Sequence, residues 1–558
     1  MHSFLPVLFV LASASASPQV SAPEAKAKVD AIFHDYDRSD SPGCALGVYR
    51  DGRIVYERGY GMANLELGVA NSPQSVFDIG STSKQFTAFA IHLLAREGKL
   101  SLEDDIRRWV PEIPSYGKTV TIRHLLHHTG GLRDYIELMG LQGVMTEDLT
   151  GDADVLEIMA RQKAPNFVPG ESYLYCNTGY FLLSLIVKRS SGQSLRDFAA
   201  ERIFAPLGMG HTQFNDSHTR VIPNRATGYS KTPDGGFGID MSDWEQTGDG
   251  AVLTTIEDLL RWDQNFYESR VGDAALIGQM QSVGVLNSGK KLDYASALSI
   301  GVYRGLPTVS HGGSWAGYRA QLLRFPQQRL SVACLCNDGG TSNPSRLTHR
   351  VAEVYLGSLM KPEQAAPTAK SGAVPKYAVS SAELQRLSGA YLSRDTGRMV
   401  RVAASGGRLA ANAGAEKLTL AATGPGRFRV EEAPGAEVEF DAAPGGRPAM
   451  RIATGDSDDR ETEVFDPVAA ASLDASQLAG FAGTYASEEL ETTWRLAVED
   501  GKLYIRHRGA PKEALAPTVK DAMNVDGVNL RFLRDATGKV TGFTLDAGRV
   551  RGIVFRKV

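Results

Sequence analysis

Three short segments bring together side chains able to cleave an acyl bond. Ser81-Thr82-Ser83-Lys84 sets a hydroxyl and an amine at positions i and i+3, which share one helix face with Cβ atoms roughly 5–6 Å apart. A serine hydroxyl is a weak nucleophile and needs a neighbouring base. An ammonium buried near a helix N-terminus is desolvated and repelled by the positive dipole end, and both effects let it work as a neutral amine. Tyr175-Cys176-Asn177 adds a phenol that can pass a proton to a leaving group, and an amide that can hold both the lysine and a substrate carbonyl. His311-Gly312-Gly313-Ser314 adds an imidazole, able to donate or accept toward the Tyr175 hydroxyl or the substrate. Its glycines let an extended substrate approach a strand edge. The backbone N–H groups of Ser314 and Ser81 would form an oxyanion hole. Each segment alone has a bland reading: a surface lysine, a core tyrosine beside a capping asparagine, a structural histidine. Their coincidence is what points to acyl transfer.

These segments need elements to carry them. From Ser81 to Glu97 the apolar residues Phe86, Phe89, Ala90, Leu93 and Leu94 recur at helical spacing, so the serine and lysine open a helix. Tyr175-Cys176-Asn177 lies on a loop entering a second apolar helix near 180–190, and further helical patterns fall at 195–204, 256–266 and 346–356. Residues 43–60 read as a hairpin about the Asp51-Gly52 turn, and 308–311, 319–325 and 330–336 read as strands. Strands from both ends with helices between them predict one mainly antiparallel sheet flanked by segregated helices, an α/β (α+β) catalytic unit over 22–360.

The 558 residues allow two to four domains, and a net charge of -4 gives no basic surplus for nucleic acid. The apolar run at 4–12 followed by Ala14-Ser15-Ala16 reads as a signal peptide over 1–16, which predicts a secreted or periplasmic protein. No later stretch has the apolar length of a membrane span. Four cysteines are too few for a disulfide scaffold and lack the paired spacing of a zinc site. Cys334 and Cys336 face the same side of one strand and cannot readily bridge each other; whether Cys44 meets Cys336 across neighbouring strands stays open. Residues 361–379, rich in Pro, Ala, Lys and Ser, read as a linker. Beyond it LSGAYLS at Leu387 recurs as FAGTYAS at Phe481, with Gly407-Arg408-Leu409 answering Gly501-Lys502-Leu503 at the same spacing. This predicts two small antiparallel β-barrels, at 380–467 and 474–558.

S-x-x-K, Y-x-N and H-G-G in that order resemble the serine β-lactamase and penicillin-binding family of hydrolases. LLHHTGGL from Leu125, PLGM from Pro206 and GDGAVLTTIEDLLRW from Gly248 extend the resemblance over about residues 25–358. It implies Ser81 as the acylated nucleophile, Lys84 and Tyr175 as the general acid/base pair and Asn177 as an orienting residue. His311, Gly313 and Ser314 would bind substrate or its oxyanion. His128 is a candidate for support behind the site. No cofactor or metal is implied, and the partner is a small peptide, amide or ester. Two departures bear on substrate. His311 stands where many members carry a lysine that attracts a substrate carboxylate, and imidazole is mostly neutral at pH 7. The two appended β-domains resemble the D-aminopeptidase branch, in which a loop from the last domain restricts the mouth of the site; residues 507–525 are the expected place. The alternatives are a carboxylesterase, a DD-peptidase or β-lactamase, or a non-catalytic penicillin-binding sensor of the cell wall. Ser314 is rejected as a nucleophile, because its Gly-x-Ser-x-Ala context lacks the last glycine of a nucleophile elbow and no helix pattern follows it.

Overall fold

The computed structural model describes residues 21–362, 377–413, 416–433, 436–441, 446–454 and 461–558. The signal-peptide reading at 1–16 and most of the linker at 361–379 lie outside them.

The catalytic unit is built on a six-stranded, wholly antiparallel sheet. Its strands are β1 (Cys44–Arg50), β2 (Arg53–Tyr60), β3 (Ser299–Tyr303), β4 (Leu306–Trp315), β5 (Tyr318–Phe325) and β6 (Leu330–Cys336). The order across the sheet is β3-β4-β5-β6-β1-β2, so the first hairpin joins the late strands at the β1–β6 seam. In that seam Cys44 faces Cys336 in register, and the two form a disulfide that ties positions 292 residues apart. Cys176 and Cys334 stay free and buried.

Both faces of the sheet are covered, as the period-2 pattern shows. Cys44, Leu46 and Val48 join Cys334 and Cys336 in a core beneath helices α1 (Ala22–Ile32) and Pro344–Leu356. The alternate residues Ala45, Tyr49, Ala333 and Leu335 pack into the larger core, with α2 (Lys84–Arg96), α3 (Tyr135–Gln142), α4 (Asn177–Ser191) and α5 (Ile256–Glu268). Helix α2 runs through the middle of that core. Every residue from Lys84 to Leu94 is buried, so its polar members Lys84, Gln85, Thr87 and His92 are enclosed as well.

Two closed eight-stranded barrels follow, their strands running from Gly389–Ser393 to Glu461–Val468 and from Gly483–Ser487 to Val550–Lys557. The repeat seen in the sequence has a structural counterpart. Tyr391 donates its hydroxyl to the Leu387 carbonyl at 2.8 Å, and Tyr485 donates to the Phe481 carbonyl at 2.6 Å, the same bond in each barrel. The first barrel has its own core, whereas the interior of the second is continuous with the catalytic core. A buried ion pair lies across that junction: Arg133 Nη1 meets Glu489 Oε2 at 2.5 Å, with the two side chains 2% and 4% exposed.

Candidate active site

Ser81 does not lie within α2. It lies in a 3-10 turn, Gly80–Ser83, that runs straight into the helix, and the Lys84 N–H bonds back to the Ser81 carbonyl. At three residues per turn the side chains at i and i+3 eclipse, so the hydroxyl and the amine meet directly: Lys84 Nζ lies 2.9 Å from Ser81 Oγ. Lys84 also donates to Asn177 Oδ1 at 2.8 Å and to the Asp249 carbonyl at 2.5 Å. Asn177 is the first residue of α4, where its N–H donates to Asp134 Oδ2 at 2.6 Å.

The electrostatics follow from enclosure. Burial pushes the Lys84 ammonium down to about 8, against the opposing pull of the Asp249 and Asp134 carboxylates. Burial likewise pushes the Asp249 carboxyl up to about 6, with Lys84 and the Tyr135 hydroxyl opposing it. An ammonium has three N–H donors, and all three are matched here. When it loses a proton, the two fixed carbonyl acceptors of Asn177 and Asp249 retain the remaining N–H groups, and the lone pair turns toward Ser81. The geometry can therefore aim a base at one hydroxyl.

The Tyr175 hydroxyl oxygen is buried without a well-formed hydrogen bond, although the residue as a whole is partly exposed. Ser81 lies near enough to pull its pKa down, but burial wins and holds the phenol well above its usual range. A buried polar atom left unpaired costs free energy. One so placed beside the Ser81 hydroxyl, on a residue that lines the cleft, can turn to a bound group.

The third segment is placed differently from the sequence expectation. The strand does not stop at His311 but continues as β4 through both glycines to Trp315, paired with β5 (Gly312 with Gln321, Gly313 with Ala320). The reason is close approach: a Cβ on Gly313 would sit 1.9 Å from the Ile79 carbonyl oxygen, and one on Gly80, at φ +47, would sit 2.7 Å from the Ser314 nitrogen. Glycine at both positions lets the Ser81 turn lie against β4, and Ser81, Gly313 and Ser314 all line the same cleft. Ser314 itself is followed by a hairpin into β5 rather than a helix.

His311 does not reach toward Tyr175 as the sequence reading allowed. Its Nδ1 donates to the Gly312 carbonyl at 2.6 Å, and its Nε2 accepts from the Tyr294 hydroxyl at 2.9 Å. Tyr294 in turn accepts from His128 Nε2 at 3.2 Å, and His128 Nδ1 accepts from the Cys176 N–H at 3.1 Å. The Cys176 N–H at one end makes His128 Nδ1 an acceptor and the Gly312 carbonyl at the other makes His311 Nδ1 a donor, so His128 is neutral with its proton on Nε2, and the Tyr294 hydroxyl can donate to a neutral His311. Burial and the nearby Lys84 charge push His311 down to about 4, in agreement. His128, whose ring also lies 4.2 Å from that of Tyr175, thus supports the site from behind.

Four residues of the site were not singled out by sequence: Asp134, Asp249, Tyr294 and Arg549. Asp249 sits in the Gly-Asp-Gly of a segment already noted, which was a usable signal; Tyr294 has none. Arg549 comes from the hairpin joining the last two strands of the terminal barrel, with its guanidinium carbon 5.1 Å from the Tyr175 ring centroid. The terminal domain does reach the cleft, but through this hairpin and not through 507–525. The latter region instead meets the end of α3, where Arg508 and Gly509 abut Gly143. Ser81, Tyr175, Asn177, Asp249, His311 and Arg549 border one cleft of about 730 Å³.

An acylatable serine beside a desolvated lysine, on a helix packed against an antiparallel sheet, defines a serine hydrolase of the β-lactamase and penicillin-binding type. The family model described as Beta-lactamase matches residues 29–356, and the chain belongs to that family. It is 31% identical over 412 residues to a penicillin-binding protein of Bacillus subtilis (strain 168), covering 70% of this chain and 85% of that one. It is 26% identical over 559 residues to a D-aminopeptidase of Brucella melitensis biotype 2, covering 97% of this chain and 100% of the relative. Among solved structures, the octameric penicillin-binding protein homologue from Pyrococcus abyssi shares the fold with a TM-score of 0.57 at 23% identity, covering 80% of this chain and 100% of that one.

Proposed function

We propose that this enzyme cleaves the amide bond of small peptides through an acyl-enzyme on Ser81, in the manner of a D-aminopeptidase. The observation that carries the reading is the three-acceptor seat of Lys84, which directs its lone pair at the Ser81 hydroxyl. Lys84 takes the Oγ proton as Oγ attacks the carbonyl carbon. The oxyanion is held by the N–H groups of Ser81 and Ser314. As the C–N bond breaks, the departing nitrogen takes a proton from the Tyr175 hydroxyl, which Lys84 replenishes. Water then repeats the sequence on the ester: it loses a proton to the same pair, attacks the acyl carbon and returns Oγ–H to Ser81. The D-aminopeptidase reading is supported by a relative of that name aligned over both barrels, and by the terminal-barrel hairpin at the cleft. Export is supported by the Cys44–Cys336 disulfide, since such bonds persist in oxidising compartments; among the described residues no helix is long and apolar enough to cross a membrane.

The test is a panel of D-alanine and L-alanine p-nitroanilides, p-nitrophenyl acetate and a chromogenic cephalosporin, run with wild type, Ser81→Ala and Lys84→Arg. The D-anilide should be preferred. Ser81→Ala should lose turnover by about six orders of magnitude with the melting temperature unchanged, and Lys84→Arg should fail because guanidinium does not give up its proton. Activity surviving in Ser81→Ala would refute the assignment.

A further inference from the structure

The cleft holds a cation that the hydrolytic steps do not use. Arg549 sits at the tip of the terminal-barrel hairpin and lines the cleft with its side chain 37% exposed. Its guanidinium carbon lies 5.1 Å from the Tyr175 ring centroid, and Lys84 Nζ lies 4.9 Å from the same centroid, so the two cations can be no farther apart than the sum of these distances. Among the described residues its guanidinium makes one contact with an acid, Nη1 to Asp134 Oδ2 at 3.5 Å, the outer limit for a hydrogen bond. Asp134 is already committed elsewhere. Its Oδ1 accepts from the Ile136 and Glu137 N–H groups, and its Oδ2 accepts from the Asn177 N–H at 2.6 Å. Guanidinium has five N–H donors, and most of those on Arg549 remain open to a ligand.

The hairpin is docked so that this side chain is held in place. Asn166 Nδ2 donates to the Arg549 carbonyl and Asn166 Oδ1 accepts from the Arg551 N–H, both at 2.8 Å, while Arg133 Nε donates to the Arg551 carbonyl at 2.9 Å. The neighbouring Arg551 guanidinium turns back onto the Gly548 and Val550 carbonyls of its own hairpin. Glu137, the other acid beside the hairpin, forms no ion pair with Arg549 among the described residues. The third segment meanwhile presents neutral His311, bonded on both nitrogens, where a lysine would draw a carboxylate. Arg549 thus brings a positive charge to the Tyr175 side of the cleft; Arg225 and Arg319 also line it, but the Arg319 guanidinium is taken up by the Ala316, Tyr318 and Gly339 carbonyls.

We infer that Arg549 binds a carboxylate on the leaving-group side of the substrate, so that the enzyme prefers short peptides whose free C-terminal carboxylate reaches the cleft over amides with an uncharged leaving group. The inference rests on the proposed acylation of Ser81 with Tyr175 protonating the leaving group, because only that places Arg549 beside the departing amine. It assigns a substrate-binding role in the cleft to the last hairpin of the chain.

Two substrates with the same acyl group test it: D-alanine p-nitroanilide, and the D-alanyl amide of 5-amino-2-nitrobenzoate, which differs by one leaving-group carboxylate. A charge-assisted hydrogen bond is expected to favour the carboxylated substrate by about tenfold in kcat/KM, chiefly through KM. The preference should disappear in Arg549→Gln, be partly retained in Arg549→Lys, and shrink in wild type as salt is raised. No preference in wild type, a preference that survives Arg549→Gln, or equal loss in the Gln and Lys variants would overturn the role of the charge while leaving acylation at Ser81 standing. Failure of wild type to cleave either amide would instead overturn the hydrolytic reading, and this inference with it.

Discussion

Raising the pH from 7 to 9 should activate this enzyme by deprotonating Lys84. With the ammonium near 8, the neutral fraction is about one-tenth at pH 7 and about nine-tenths at pH 9, so kcat/KM should rise about tenfold across that interval. The energetic counterpart follows from the same displacement. The drop from 10.5 to about 8, at about 1.36 kcal/mol per pH unit, means that the fold opposes the charged lysine by about 3 kcal/mol. Because the folded value lies below the unfolded one, this penalty is fully present below about pH 8 and fades as pH rises toward 10.5. Asp249 sets the position of the limb. Its carboxylate favours the ammonium, so Asp249→Asn should move the activity limb to lower pH, while the Tyr135 hydroxyl keeps an oxygen to donate to. The assay is kcat/KM for an anilide measured from pH 5.5 to 10 in wild type and Asp249→Asn. A flat wild-type profile, or a limb that moves to higher pH in the variant, would refute Lys84 as the base whose seat has been described.

Two further outcomes test how the site is held. Gly313→Ala would place a Cβ 1.9 Å from the Ile79 carbonyl, forcing the Ser81 turn away from β4; displacements of that order cost about a hundredfold in rate, and wild-type kcat in this variant would show that the contact does not position the nucleophile. Glu489→Gln removes the charge from a pair buried to within a few per cent and should destabilise the protein by about 3–5 kcal/mol, read as a lower urea midpoint; an unchanged midpoint would mean that the terminal barrel docks without this pair.

Local spacing made the chemistry legible. Serine and lysine at i and i+3, a phenol and amide two residues apart, and a glycine pair after a histidine are fixed along the chain, and the fold had only to bring the three segments together. The antiparallel sheet was legible for a similar reason, since period-2 burial on both faces leaves continuous apolar runs such as β1 and β6. The barrels were legible through repetition, down to the tyrosine that caps each one. Helix α2 was less so: an amphipathic pattern read from its apolar residues turned out to be enclosed on all sides, and, the Lys84–Ser81 contact apart, its polar residues find their partners in distant segments.

The sequence by itself determined which side chains could act and that two similar barrels follow them. Tertiary structure alone decided their state and their company. Lys84 owes its lowered pKa to burial and its aim to carbonyls at 177 and 249. His311 owes its neutral state to burial and its Nε2 partner to Tyr294, and β4 runs on through its glycines because the Ser81 turn needs the space. Arg549 stands beside Tyr175 although 374 positions separate them in the chain. Desolvation, hydrogen-bond direction and close packing all depend on which distant atoms share a small volume, and no local pattern of residues encodes that.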